Sequence, residues 1–139
     1  MSDADIDALT ALVIGCAIRV HDALGPGLLE SIYRDCLVIE LIAQGLTVEV
    51  ERCVQVVYRD QRVRDDLRLD LLVNGILVVE VKAVERLHPV HKAQVITYLK
   101  LSGFPAGLLL NFNAVSLRAG LQRLDRPDIY AAKRAGRKP

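Results

Sequence analysis

The chain has no tryptophan, one methionine, two phenylalanines and four tyrosines. So few aromatic rings leave little to stack against exposed bases, which argues against a platform for single strands. Its cysteines, Cys16, Cys36 and Cys53, are odd in number and far apart. That pattern argues against a disulfide framework or a zinc set. Reduced thiols packed as small apolar groups are expected instead. No apolar run approaches the ~18 residues that a membrane span needs. The first residues carry Asp3, Asp5 and Asp7 and no basic stretch, so no secretory signal is expected. Low-complexity runs, internal repeats, zinc-finger spacing and a helix-turn-helix are also missing. These absences together point to a cytoplasmic protein that does not enter a membrane.

What is present is apolar residues in quantity. They make up 52% of 139 residues, enough for one domain with a full core. The net charge of +1 hides an asymmetry. Residues 126–139 hold Arg126, Lys133, Arg134, Arg137 and Lys138 against Asp128 alone, and the first 125 residues are left with a net charge of −3. The expected organisation is a single domain over residues 1–125 followed by a basic tail, 126–139. Such a tail either touches a phosphate backbone or is a frayed, solvated terminus.

Ile6, Leu9, Val13, Cys16, Val20 and Leu24 recur at helical spacing and predict a helix over about 3–23. Ser2 and Asp5 resemble its capping box. His21, near its end, reads as support for the helix terminus or packing rather than catalysis. Gly25-Pro26-Gly27 breaks the helix, and a second runs from about Leu28 to Ala43 or Gln44. On it Glu30, Tyr33, Leu37 and Leu41 fall along one line. An acid at a helix start often only complements the dipole, but this one shares a face with core residues and should point inward or into a cleft.

Extended structure is predicted over Thr47–Tyr58, with a bulge near Arg52–Cys53, then a turn at Arg59–Arg62. Strands follow at Val63–Val73 and Ile76–Lys82. A third helix opens at His88-Pro89 and runs to about Leu101, with Gln94 and Tyr98 on one face. Ala106–Phe112 is an apolar strand, Asn111–Ala114 a loop, and Leu117–Leu124 a last strand or irregular segment. This order describes an α/β domain with a mixed central sheet.

The stretch Leu67–Ala83, LRLDLLVNGILVVEVKA, places Asp70, Glu80 and Lys82 inside an apolar hairpin. Charged groups are seldom buried unless paired or bound to metal. Asp70 and Glu80 would provide hard oxygen ligands for Mg²⁺ or Mn²⁺, and the main-chain carbonyl of Val81 a third. Lys82, two residues past Glu80, points to the same side of the strand and would orient a water and stabilise charge in the transition state. A plain two-residue turn at Asn74-Gly75 would put Asp70 on the wrong face. The site therefore requires an odd loop, expected at Val73–Gly75 with Leu72 opposite Ile76, or a compensating bulge. The competing reading of the same spacing is a salt bridge of Lys82 with Glu80 or Asp70 on a solvated rim.

GLLESIY at Gly27–Tyr33 resembles the motif of the GxxExxY family, with Gly27, Glu30 and Tyr33 in place. VHDALGPG before it, and LRLDLLV, VVEVKAVERLHPVHKAQVITYLKLSG and GLLLNFN after it, are similar to that family's other blocks, over about Leu9 to Leu124. The family is placed in the PD-(D/E)XK nuclease-like superfamily. The resemblance implies a restriction-endonuclease-like αβββαβ core, Asp70 as the motif aspartate, Glu80 and Lys82 as its ExK pair, and Glu30 as the acid of the preceding helix. Gln94 and Tyr98 match the QxxxY element that positions phosphate or the metal site. Leu69 stands where the proline of the motif is usual.

The leading expectation is therefore a Mg²⁺- or Mn²⁺-dependent nuclease acting on DNA, with RNA also open. Asp70, Glu80, Lys82 and Glu30 would carry catalysis, with Gln94 and Tyr98 positioning substrate. The alternative is a non-catalytic nucleic-acid- or protein-binding module that keeps the fold. A third reading is an oligomeric scaffold whose apolar helices pack against a second copy, and a homodimer is compatible with all three.

Overall fold

The apolar spacings that predict each element also decide which face it buries. The computed structural model describes residues 1–136. Helix α1 (Asp3–Leu24) starts with the capping box expected at Ser2. The Ser2 hydroxyl accepts the Asp5 N–H, and the Asp5 carboxylate accepts the Ser2 N–H. Helix α2 (Glu30–Ala43) begins two residues later than expected, with Leu29 extended as its N-cap. Then come β1 (Val48–Tyr58), β2 (Gln61–Val73), β3 (Leu77–Lys82), α3 (Pro89–Ser102) and β4 (Ala106–Asn111). A 3-10 turn (Leu117–Gly120), β5 (Leu121–Asp125) and α4 (Pro127–Gly136) complete the order.

The five strands form one mixed sheet in chain order, β1-β2-β3-β4-β5. Only β3 and β4 are parallel, joined by the crossover helix α3. Helices α1 and α2 cover one face. There Val13, Cys16, Tyr33, Leu37 and Leu41 pack with Leu71, Val79, Val81 and Leu108. Helix α3 covers part of the other, where Val95, Tyr98 and Leu99 meet Leu72, Val78 and Leu109. Burial on both faces explains why β2, β3 and β4 read as nearly continuous apolar runs. The architecture is α/β and restriction-endonuclease-like.

Several boundaries differ from expectation. The β1–β2 turn is confined to Arg59-Asp60, both at positive φ, so β2 starts at Gln61. The irregularity expected at Arg52–Cys53 lies to either side of it. Glu51 has φ 53°, and the β1–β2 register shifts between Val54 and Val57. Asn111 is the last residue of β4 rather than loop, and the Leu117–Leu124 segment divides into a turn and a strand. Cys53 is exposed, unlike buried Cys16. Where a basic tail was expected, Pro127–Gly136 is helical. It is anchored where Lys133 pairs with Asp125 at 3.1 Å and Arg126 with Asp128 at 2.6 Å. Arg137 and Lys138 lie outside the described residues.

Candidate active site at the open end of the β2–β3 hairpin

The hairpin tip decides which side chains share a face. Asn74 and Gly75 have φ 52° and 66°, and the Ile76 N–H donates to Val73 O at 3.0 Å. These are the features of a tight Asn-Gly turn. Pairing does not resume at Ile76. It resumes at Leu77, opposite Val73, so Ile76 is one extra residue. The loop is odd, as the site requires, but it is Asn74–Ile76 and not Val73–Gly75. The physical reason is that asparagine and glycine both tolerate positive φ, so they take the turn and leave the bulge to the next position. Asn74 is also tied to the start of β1, where its Oδ1 accepts the Thr47 N–H at 2.9 Å.

With this register Asp70 stands across from Glu80. The regular ladder ends at the Leu71–Val79 pair, and side chains take over beyond it. Glu80 Oε1 accepts the Asp70 N–H at 3.1 Å, and Asp70 Oδ2 accepts the Val81 N–H at 2.8 Å. The two strands part here, and each carboxylate caps a backbone N–H of the opposite strand. In a strand, a residue's N–H and C=O point to the same side. The Val81 carbonyl therefore faces β2, whereas Lys82 O accepts from Phe112 N in the direction of β4.

Glu80 is buried, and its carboxyl is pushed up to about 8. Burial is the main cause, followed by the charge of Asp70, while Lys82 works the other way. Lys82 is half-buried and makes no ion pair within 4 Å among the described residues, so the salt-bridge reading of the motif does not hold. Tyr98 of α3 also has a raised pKa, first from burial and then from the Glu80 charge. Its hydroxyl accepts from Gln94 Nε2 at 2.8 Å. Gln94 is thus tied to Tyr98, whose hydroxyl feels the charge of Glu80 and Asp70. Glu30 arrives from the opposite face of the sheet, at the start of α2, where its Oε2 accepts the Ala83 N–H at 3.4 Å. The structure brings Asp70, Glu80, Lys82 and Tyr98 together and leaves Glu30 and Gln94 at the margin. Among the described residues no group of three or more His, Cys, Asp or Glu is gathered closely enough to hold a metal.

Two supporting residues carry no role in the sequence reading. Tyr33 is fully buried, its hydroxyl donates to Gly25 O at 2.5 Å, and it accepts from Leu28 N at 3.0 Å. Its ring stacks on Phe112. It thereby fixes the Gly25–Leu29 loop, in which Gly27 has φ 104°, and so sets where Glu30 points. Asn111 lies beside Lys82 in the parallel register. It binds both the N–H and the carbonyl of Val84, at 3.1 and 2.9 Å, and so holds the chain leaving the site. The signal was a lone amide ending an apolar strand, GLLLN. A Cβ on Gly120 would stand 2.6 Å from Asn111 O. Gly120→Ala is therefore expected to destabilise the fold by roughly 1–3 kcal/mol in urea unfolding, because backbone rather than a flexible side chain must yield. Unchanged stability would mean that the two segments are free to separate.

A family model for the PD-(D/E)XK nuclease superfamily matches residues 7–124. This chain belongs to that superfamily. The match runs from within α1 to the last but one residue of β5 and includes the β2–β3 hairpin, both helices that contribute acids or polar groups, and the sheet between them. No curated protein and no solved structure matches the chain significantly.

Proposed function

We propose that this superfamily member is a divalent-metal-dependent nuclease that hydrolyses phosphodiester bonds in DNA, with RNA as the other candidate substrate. One observation carries the reading. Two carboxylates are held against each other where β2 and β3 part, and one of them, Glu80, is buried beside a like charge. A fold does not need such a pair, whereas a cation would relieve it. The donor set suits Mg²⁺ or Mn²⁺, which take hard oxygens and commonly need only one or two carboxylates besides water and phosphate. Asp70, Glu80 and the Val81 carbonyl would hold it, with Glu30 assisting from the margin. When bound, the cation would neutralise the phosphate and lower the pKa of water. Lys82 would orient the attacking water and balance charge as it develops, and Tyr98 with Gln94 would position the phosphate. The GxxExxY resemblance agrees with this assignment at all six side chains.

A non-catalytic binding module has one observation in its favour, the lack of a third close acid among the described residues. Cleavage of single- and double-stranded DNA and RNA with Mg²⁺ or Mn²⁺ separates the two readings. Asp70→Ala and Lys82→Ala are each expected to lower the rate by on the order of 10²–10³. Activity that persists in both variants would belong to another site or another protein. Binding without cleavage in the wild type would favour the module. No helix among the described residues is long and apolar enough to cross a membrane. A cytoplasmic location, where the free thiols would stay reduced, is part of this proposal.

A further inference from the structure

Helix α2 is apolar on two sides, and the fold covers one. Tyr33, Leu37 and Leu41 face the core. On the outer side Leu29, Ile32, Cys36, Ile39 and Ala43 follow one another at steps of three, four, three and four, the spacing of a helix seam. Leu29 is 70% exposed, Ile39 68% and neighbouring Ile42 59%. A helix apolar all round is normally buried all round. The exposed parts of these side chains come to roughly 500 Å², in the upper half of the range for the largest patch on a monomer.

We propose that this outer face of α2 is a two-fold interface with a second copy of the chain. The seam is close to symmetric about Cys36. In an antiparallel pairing Ile32 meets Ile39 of the other copy, Leu29 meets Ala43, and Cys36 lies at the axis. Such self-complementarity is what an isologous contact requires. Cys36, small and half-buried, lets the helix axes approach to the ~8–10 Å of close helix packing. Complete burial of the seam and Ile42 in both copies would take on the order of 1,000 Å² out of water, the size at which a specific interface begins. The rim is polar and of both signs, with Arg19 paired to Glu40 on one flank and Arg34 to Asp35 on the other. That balance gives no preference for a strongly acidic or basic partner, or for an anionic lipid surface. Glu30 lies on the core side of α2 and stays clear of the contact, so the interface neither uses nor blocks the candidate active site.

Light scattering on the full chain is expected to give twice the monomer mass at micromolar concentration, and Ile39→Asp should give the monomer mass with an unchanged circular dichroism spectrum. Crosslinking checks the same contact without disturbing the apolar seam. In a Cys53→Ser background, a short bis-maleimide should join two chains through Cys36, and the product should vanish in Cys36→Ser/Cys53→Ser. A wild type that stays monomeric would overturn the proposal, including one that instead binds phosphatidylcholine vesicles or a different protein through this helix. So would a dimer that survives Ile39→Asp and gives no Cys36 crosslink.

Discussion

Glu80→Gln is expected to make the metal-free protein more stable and to abolish the proposed cleavage. The wild-type Glu80 carboxyl moves from 4.5 to about 8 on folding, because burial and Asp70 both disfavour its charge. Its native pKa is therefore raised, and the native state holds a proton that the unfolded state has released. Stability from this group is complete below pH 4.5 and is lost as the pH rises towards 8, at about 1.4 kcal/mol per pH unit at most. Glutamine keeps the oxygen that accepts from Asp70 N but carries no charge. The variant should thus match the wild type near pH 4.5 and exceed it by a few kcal/mol at pH 8. Cation binding should show the mirror image. Mg²⁺ must displace the proton, so it should raise the wild-type melting temperature at pH 8, hardly at pH 5, and not in the glutamine variant. Melting curves from pH 4.5 to 8.5, with and without Mg²⁺, read all of this. Parallel pH profiles for the two proteins would show that Glu80 is charged throughout, and the electrostatic basis of the site would be gone.

The second large effect is expected at Tyr33. Tyr33→Ala should cost about 3–5 kcal/mol, the range for deleting a fully buried aromatic side chain. Tyr33→Phe isolates the hydroxyl. It keeps the stack on Phe112 but strips Gly25 O and Leu28 N of their partner, for roughly 1–3 kcal/mol. The two variants should also differ in function. Phenylalanine leaves the core filled yet frees the loop that aims Glu30, so any loss of cleavage beyond the loss of folded protein measures what that aim contributes. If cleavage per folded molecule is unchanged in Tyr33→Phe, the Tyr33 hydroxyl does not set where Glu30 points.

Helical elements were legible in the sequence because their signals are local. Ser2 and Asp5 announce α1, and Gly25-Pro26-Gly27 ends it. The strands were legible as apolar runs, but their register was not, since it depends on where the extra residue at the hairpin sits. Parity was recoverable from chemistry alone: Asp70, Glu80 and Lys82 make sense only on one face. The identity of the bulged residue, Ile76, was not, because turn preference and pairing compete over four positions. Helix α4 went unread because its composition is that of a solvated tail, and no residue of it is buried. The burial of Glu80 was legible only as an oddity. Its magnitude depends on long-range packing around Glu80 and on Asp70 of the neighbouring strand, neither of which has a local sequence signature.

The extra residue at Ile76 also sets what kinds of length variation this hairpin can survive. Surface turns usually accept insertions and deletions of any size. Here the side chains on β3 are phased against Asp70 by the number of residues in the tip. Removing or adding one residue would rotate Glu80 and Lys82 to the α1–α2 face, burying two charges among aliphatics while leaving every functional residue present in the sequence. Changing the tip by two would preserve the phase. Natural variation at Asn74–Ile76 should therefore come in even steps, and a single-codon deletion there would dismantle the proposed site without removing any of its residues.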